Sequence, residues 1–146
     1  MYLYITRFED INKAKEDILR EYSKTCIGQV SIDRLANGKP VLLLNEKHFG
    51  DISISHTENV LIMAFSELKV GVDIERKDRK ISQELCYDIK KWTQIEAYGK
   101  YLGSGITKSL IKENIPQGLV ESFFWEEYVV SVASEDKKLD IIKLTR

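Results

Sequence analysis

Residues 60–65, Val-Leu-Ile-Met-Ala-Phe, are apolar at every position, and a strand with no polar face must be covered on both sides. This stretch belongs in the middle of a sheet, and the rest of the chain has to be built around it. Residues 66–69 read as a turn, so a hairpin is expected into Val70-Gly71-Val72-Asp73-Ile74-Glu75. Strand alternation puts Val70, Val72 and Ile74 on one apolar face and Gly71, Asp73 and Glu75 on the other. Two carboxylates on one face repel unless one is protonated or a cation stands between them. Two readings fit this hexapeptide. It is a solvated acidic edge strand, or it is half of a hard-cation site in which Gly71 leaves room beside the carboxylates.

The remaining punctuation is short-range. Residues 2–6 read as a first strand and residues 11–24 as an amphipathic helix stopped near Gly28. Asn37-Gly38-Lys39-Pro40 is a turn signature before a short buried strand at 41–44, and residues 51–56 alternate with period two. The apolar spacing predicts the longest helix over 81–102, ended by Gly103 and Gly105. Further strands are expected around 122–125, 128–133 and 139–144. Hairpins mixed with two helices define an α+β fold, and the length suits a single domain over 1–146.

Composition removes several classes of function. Lys and Arg number 22 against 23 Asp and Glu, a net charge of −1, so no global field draws the chain to nucleic acid or to an anionic membrane. Cys26 and Cys86 form neither a CxxC pair nor a cluster with histidine, which argues against a zinc site or a disulfide framework. The first residues do not read as a signal peptide and no apolar run approaches a membrane span, so a cytoplasmic setting is expected. The segment 103–109 contains glycines and a lysine but lacks the glycine before the lysine, and it follows a helix where a P-loop precedes one. There is no GxGxxG or GxSxG element, and two histidines make a triad a poor fit.

Candidate chemistry gathers on the long helix. Leu85, Ile89, Trp92 and Glu96 are spaced four, three and four apart, which places Glu96 on a stripe of core-facing positions with Lys100 one turn further. Either Glu96 and Lys100 are a surface i,i+4 pair, or Glu96 is a third inward carboxylate with an ammonium beside it for phosphate. His56 ends a strand after Ser53 and Ser55, a position at which histidine is ordinarily structural. Lys39 lies in a turn, ordinarily solvated. Arg76-Lys77-Asp78-Arg79-Lys80 is either an exposed loop or a contact for an acidic partner.

Four of these pieces, in this order, resemble the 4′-phosphopantetheinyl transferase superfamily, in its larger, surfactin-synthetase-activating branch. Gly38-Lys39-Pro40 is similar to that family's GKP turn, Ile54-Ser55-His56-Thr57 to its ISHS element, and Gly71-Val72-Asp73-Ile74-Glu75 to its GVDIE strand. Trp92-Thr93-Gln94-Ile95-Glu96-Ala97, with Lys100 and Gly103-Ser104-Gly105, resembles its tryptophan helix. The resemblance covers residues 38–105. It implies two pseudo-twofold-related lobes of antiparallel strands and helices, here 1–68 and 69–146, acting as a monomer with the site between them. It also implies transfer of 4′-phosphopantetheine from coenzyme A to a serine of an apo acyl or peptidyl carrier protein, releasing adenosine 3′,5′-bisphosphate. Asp73, Glu75 and Glu96 would then hold Mg²⁺. Lys100 and His56 would contact the coenzyme A phosphates, Lys39 and Ser55 its 3′-phosphate side, with Arg20 a further phosphate ligand by position. Carrier proteins being acidic, residues 76–80 would form the docking loop.

The chain also departs from that pattern. Only residues 76–91 fill the interval before the tryptophan helix, and the family's F-x-x-x-E-like element, whose glutamate is its candidate base, is not visible there. Glu84 and Asp88 are the carboxylates available; Asp88 and a metal-bound water are the two candidate bases. The N-terminal part is shorter as well. The shortened interval motivates an alternative, a catalytically silent relative that binds coenzyme A or a carrier protein without transfer. An unrelated α+β interaction domain using the basic loop is a third reading.

Overall fold

The computed structural model describes residues 1–80, 88–103 and 115–144. Among the described residues it is an α+β fold with two helices, a six-stranded mixed sheet and a three-stranded antiparallel sheet. The elements are β1 (Tyr2–Arg7), α1 (Ile11–Ser23), β2 (Val30–Arg34), β3 (Pro40–Leu44), β4 (Lys47–Thr57), β5 (Val60–Ser66), β6 (Val70–Arg76), α2 (Ile89–Leu102), β7 (Val120–Trp125), β8 (Tyr128–Ser134) and β9 (Asp140–Leu144). The larger sheet runs β2-β3-β4-β5-β1-β9 and the smaller β6-β8-β7. Among the described residues only the β1–β9 pairing is parallel; it returns β9 to the sheet that holds β1. Among the described residues no helix is long and apolar enough to cross a membrane.

The doubly apolar stretch is β5, paired with β4 on one side and β1 on the other, as its lack of a polar face requires. Val60, Ile62 and Ala64 pack with Leu3 and Ile5 against Val70, Val72 and Ile74 of β6 and Tyr128, Val130 and Val132 of β8. Leu61, Met63 and Phe65 point the other way, into a core with Ala14, Ile18 and Tyr22 of α1. The layers are therefore helix, sheet, sheet, helix, with α2 lying on the outer face of β6, β8 and β7. Asp10 caps α1, its carboxylate accepting the N–H groups of Asn12 and Lys13.

Three expectations change. The hairpin across 66–69 does not form: β5 already has a partner on each edge, so β6 leaves for the second sheet and pairs with β8. The long helix begins at Ile89, because Asp88 has extended backbone and its carboxylate accepts the Lys91 N–H at 2.7 Å as an N-cap. Residues 81–87, with Glu84, Leu85 and Cys86, lie outside the described residues, as does Gly105. Strand β2 was not expected; it pairs along the full length of β3. Gly103 does end α2, with φ 78° and its N–H on the carbonyls of Gly99 and Lys100.

Candidate active site

The site starts from an edge problem. One edge of β6 pairs with β8, which leaves alternate N–H groups on its other edge without a strand. The period-two polar residues of β4 supply the acceptors. Asp51 takes the Val70 N–H at 2.9 Å, Ser53 the Val72 N–H at 3.0 Å, and Ser55 the Ile74 N–H at 3.3 Å. A ladder of side chains thus joins the two sheets and fixes the register of β6 against β4.

Above β6 lies α2, closer than an ordinary side chain would permit. A Cβ on Gly71 would fall 2.0 Å from the Ala97 carbonyl oxygen and 2.3 Å from the Tyr101 nitrogen. The room beside the carboxylates is taken by helix backbone. The face α2 buries is Thr93, Ala97, Gly99 and, to the side, Ile95 and Tyr98. This corrects the expected stripe: Trp92 and Glu96 are half-buried at its margin. Thr93 is tied to the sheet by the Ser131 hydroxyl at 3.1 Å, and Gln94 by Ser122 at 3.0 Å.

This approach brings three carboxylates and two cations into one corner. Asp73 is 5% exposed; its Oδ1 accepts from the Ser55 hydroxyl at 3.0 Å and lies 3.6 Å from Lys100 Nζ. Its Oδ2 is buried without a hydrogen-bond partner. Burial is the main force on its ionisation. Lys100 opposes that effect, Glu75 and Glu96 reinforce it, and the carboxyl is pushed up to about 7. Glu75 is buried as well and pairs with Arg79 at 2.6 Å. Burial raises Glu96 too, with Lys100 and Arg79 pulling it down and Glu75 pushing it up. The solvated-edge reading of the acidic face is therefore overturned.

Three carboxylates share one field and Asp73 presents an orphaned buried oxygen, the kind of donor a hard cation takes. As placed, however, Glu75 holds Arg79 and Asp73 faces Lys100. No group of three His, Cys, Asp or Glu side chains among the described residues is set to hold a metal ion.

Beside this corner opens a cleft of about 410 Å³ lined by Lys15, Arg34, Lys39, His56 and Lys100 together with residues of the 37–40 turn, β4 and Gly103. Among the described residues no carboxylate lines it. Lys100 donates to the Ile54 carbonyl at 3.2 Å, and Arg34 to the Gly38 carbonyl at 2.8 Å. The exposed His56 ring meets Phe8 edge-on at 6.3 Å. Cationic side chains from α1, β2, the following turn and α2 line it, the Lys39 ammonium being paired with Asp51, and this charge pattern suits an anion.

The sequence candidates are distributed unevenly over this geometry. Asp73, Glu75, Glu96 and Lys100 share the corner, and Lys39, His56 and Lys100 line the cleft. Ser55 does not line it; its hydroxyl is spent on Asp73 and β6. Arg20 is on another side of α1, exposed and paired with Asp17 at 3.1 Å. Asp88 is exposed and committed to capping α2. In the basic loop, Arg76 binds Glu58 and Asp78, Arg79 binds Glu75, and Lys77 lies 5.0 Å from the Phe124 ring centre. Lys15 and Arg34 were missed. Arg34 stands just before the lysine turn, and its proximity to Lys39 was the available signal; Lys15 only follows a buried position of α1, which gave none. No protein-family model matches the chain, and no curated protein matches it.

Proposed function

We propose that the chain is a magnesium-dependent 4′-phosphopantetheinyl transferase that uses coenzyme A to load a serine of an apo acyl or peptidyl carrier protein. The observation that carries this reading is the adjacency of a buried carboxylate corner to a cleft whose charged side chains, among the described residues, are all cationic, the two joined through Lys100. Lys15, Arg34, His56 and Lys100 suit the phosphates of a nucleotide co-substrate. Asp73, Glu75 and Glu96 would hold Mg²⁺, which when bound supplies Lewis-acid stabilisation of the diphosphate. In the reaction the serine oxygen attacks the phosphorus that carries the pantetheine. The bond to the adenosine 3′,5′-bisphosphate oxygen breaks, and the cations of the cleft retain the departing anion. Ser55 orients Asp73 by its hydrogen bond, and α2 carries Glu96 and Lys100 to the same point. The two-lobe, monomeric arrangement belongs to this reading, with lobes 1–68 and 69–146 and β9 crossing back to the first.

The test is mass spectrometry of apo acyl and peptidyl carrier proteins incubated with the chain, coenzyme A and Mg²⁺. A gain of one phosphopantetheine group is expected, and Asp73→Ala abolishes it at saturating magnesium while Lys69→Ala does not. No gain across the carrier panel overturns the reading. The Glu75–Arg79 pair, which gives a carboxylate of the corner a side-chain cation of its own, favours a second reading: a silent relative that binds coenzyme A without transfer. Calorimetric binding of coenzyme A in the absence of turnover selects it.

A further inference from the structure

Lys39 belongs to the cleft wall, yet its ammonium is turned into the protein. Its side chain is 16% exposed, and Nζ stands 2.9 Å from Asp51 Oδ2 and donates to the Lys100 carbonyl at 3.3 Å. Its Cδ lies 3.7 Å from the point where a Cβ on Gly103 would sit, so the stem passes against the end of α2. The last carbonyls of a helix lack intrahelical partners and form its negative pole, where a cation is favoured. Asp51 is itself committed, since the same Oδ2 accepts the Val70 N–H. Withdrawing Lys39 towards a ligand would strand a buried carboxylate between the sheets.

The residue whose carbonyl Lys39 holds is the residue whose side chain reaches the site. Lys100 is thus gripped twice, through its backbone from the 37–40 turn and through its Nζ by the Ile54 carbonyl of β4. We propose that Lys39 is a positioning residue for Lys100, fixing the last turn of α2 so that the Lys100 ammonium stands at the cleft, and is not itself a phosphate ligand. This rests on the reading of the cleft as a phosphate site, and it departs from the phosphate contact that the sequence resemblance implies for Lys39.

A double-mutant cycle separates the two roles. Binding of adenosine 3′,5′-bisphosphate is measured by calorimetry for the unmodified chain, Lys39→Met, Lys100→Met and the double variant. Each single change is expected to weaken binding tenfold or more, with the double variant within twofold of Lys100→Met. Losses that multiply would make Lys39 a direct ligand and overturn the proposal. Should Lys39→Met not fold, Asp51→Asn, which loosens the same ammonium, replaces it in the cycle. If the unmodified chain does not bind the nucleotide, the phosphate reading fails by itself. The positioning claim is then decided by the Nζ–Cε resonances of Lys100, assigned by their loss in Lys100→Met. They should move towards free-lysine positions in Lys39→Met, and unchanged resonances overturn the claim.

Discussion

At neutral pH Asp73 stands near the midpoint of its titration because burial opposes its charge more than Lys100 and the Ser55 hydroxyl favour it. An aspartate raised from 3.8 to about 7 in the folded state binds more protons folded than unfolded between those values. Its contribution to stability is therefore complete below pH 3.8 and is lost as the pH rises towards 7, a penalty of order 4 kcal/mol at most. Asp73→Asn keeps the shape and an acceptor for Ser55 but removes the charge. In metal-free buffer the variant should melt above the parent at pH 8, with the difference shrinking to nothing by pH 4. A difference independent of pH across that window would show that burial of the charge is not what strains this residue. The apolar face of β6 was legible from alternation alone, since Val70, Val72 and Ile74 all reach the inter-sheet core. The fate of the acidic face was not, because it depends on what covers it.

What covers it is α2, and here sequence patterns reach their limit at the scale of elements. The start of α2 was misplaced because apolar spacing continues upstream of Ile89, whereas the backbone stops being helical at Asp88. The supposed hairpin failed for a related reason. Local turn signals report that the chain reverses but not which edge is free to pair, and β5 had none. The ladder from Asp51, Ser53 and Ser55 is written as simple alternation, and only the tertiary arrangement reveals that those side chains replace a missing strand. Gly71 is the hinge of this arrangement in the packing sense, since backbone meets backbone there. Gly71→Ala should therefore cost about 3 kcal/mol or more in chemical denaturation, the upper range for overpacking, because neither strand nor helix can yield a side-chain rotamer. Gly38→Ala is the comparison: nothing lies within 4 Å of its added Cβ, and only its φ of +87° is penalised, so about 1 kcal/mol is expected. Equal losses for the two would mean that α2 can move off β6 freely.

For the molecule as a whole, the near-zero net charge conceals a strong local asymmetry. A sum of −1 argues against attraction of polyanions by a global field. Yet folding collects Lys15, Arg34, Lys39 and Lys100, from three separate stretches of the chain, around one cleft with no lining carboxylate among the described residues. Charge placement, not total charge, then decides which anions are held, since exposed charges beyond roughly 8 Å are largely screened at physiological salt. Lys15→Glu and Arg20→Glu alter the total identically and sit on the same helix, but only Lys15 lines the cleft, while Arg20 is occupied with Asp17. At 0.15 M salt Lys15→Glu should weaken binding of adenosine 3′,5′-bisphosphate about tenfold or more, and Arg20→Glu less than about twofold, by calorimetry. Lowering the salt should enlarge the effect of Arg20→Glu, as the screening length grows, and change that of Lys15→Glu far less. Two variants of equal effect at physiological salt would mean that the anion is attracted by the molecule's overall field and not seated among these side chains.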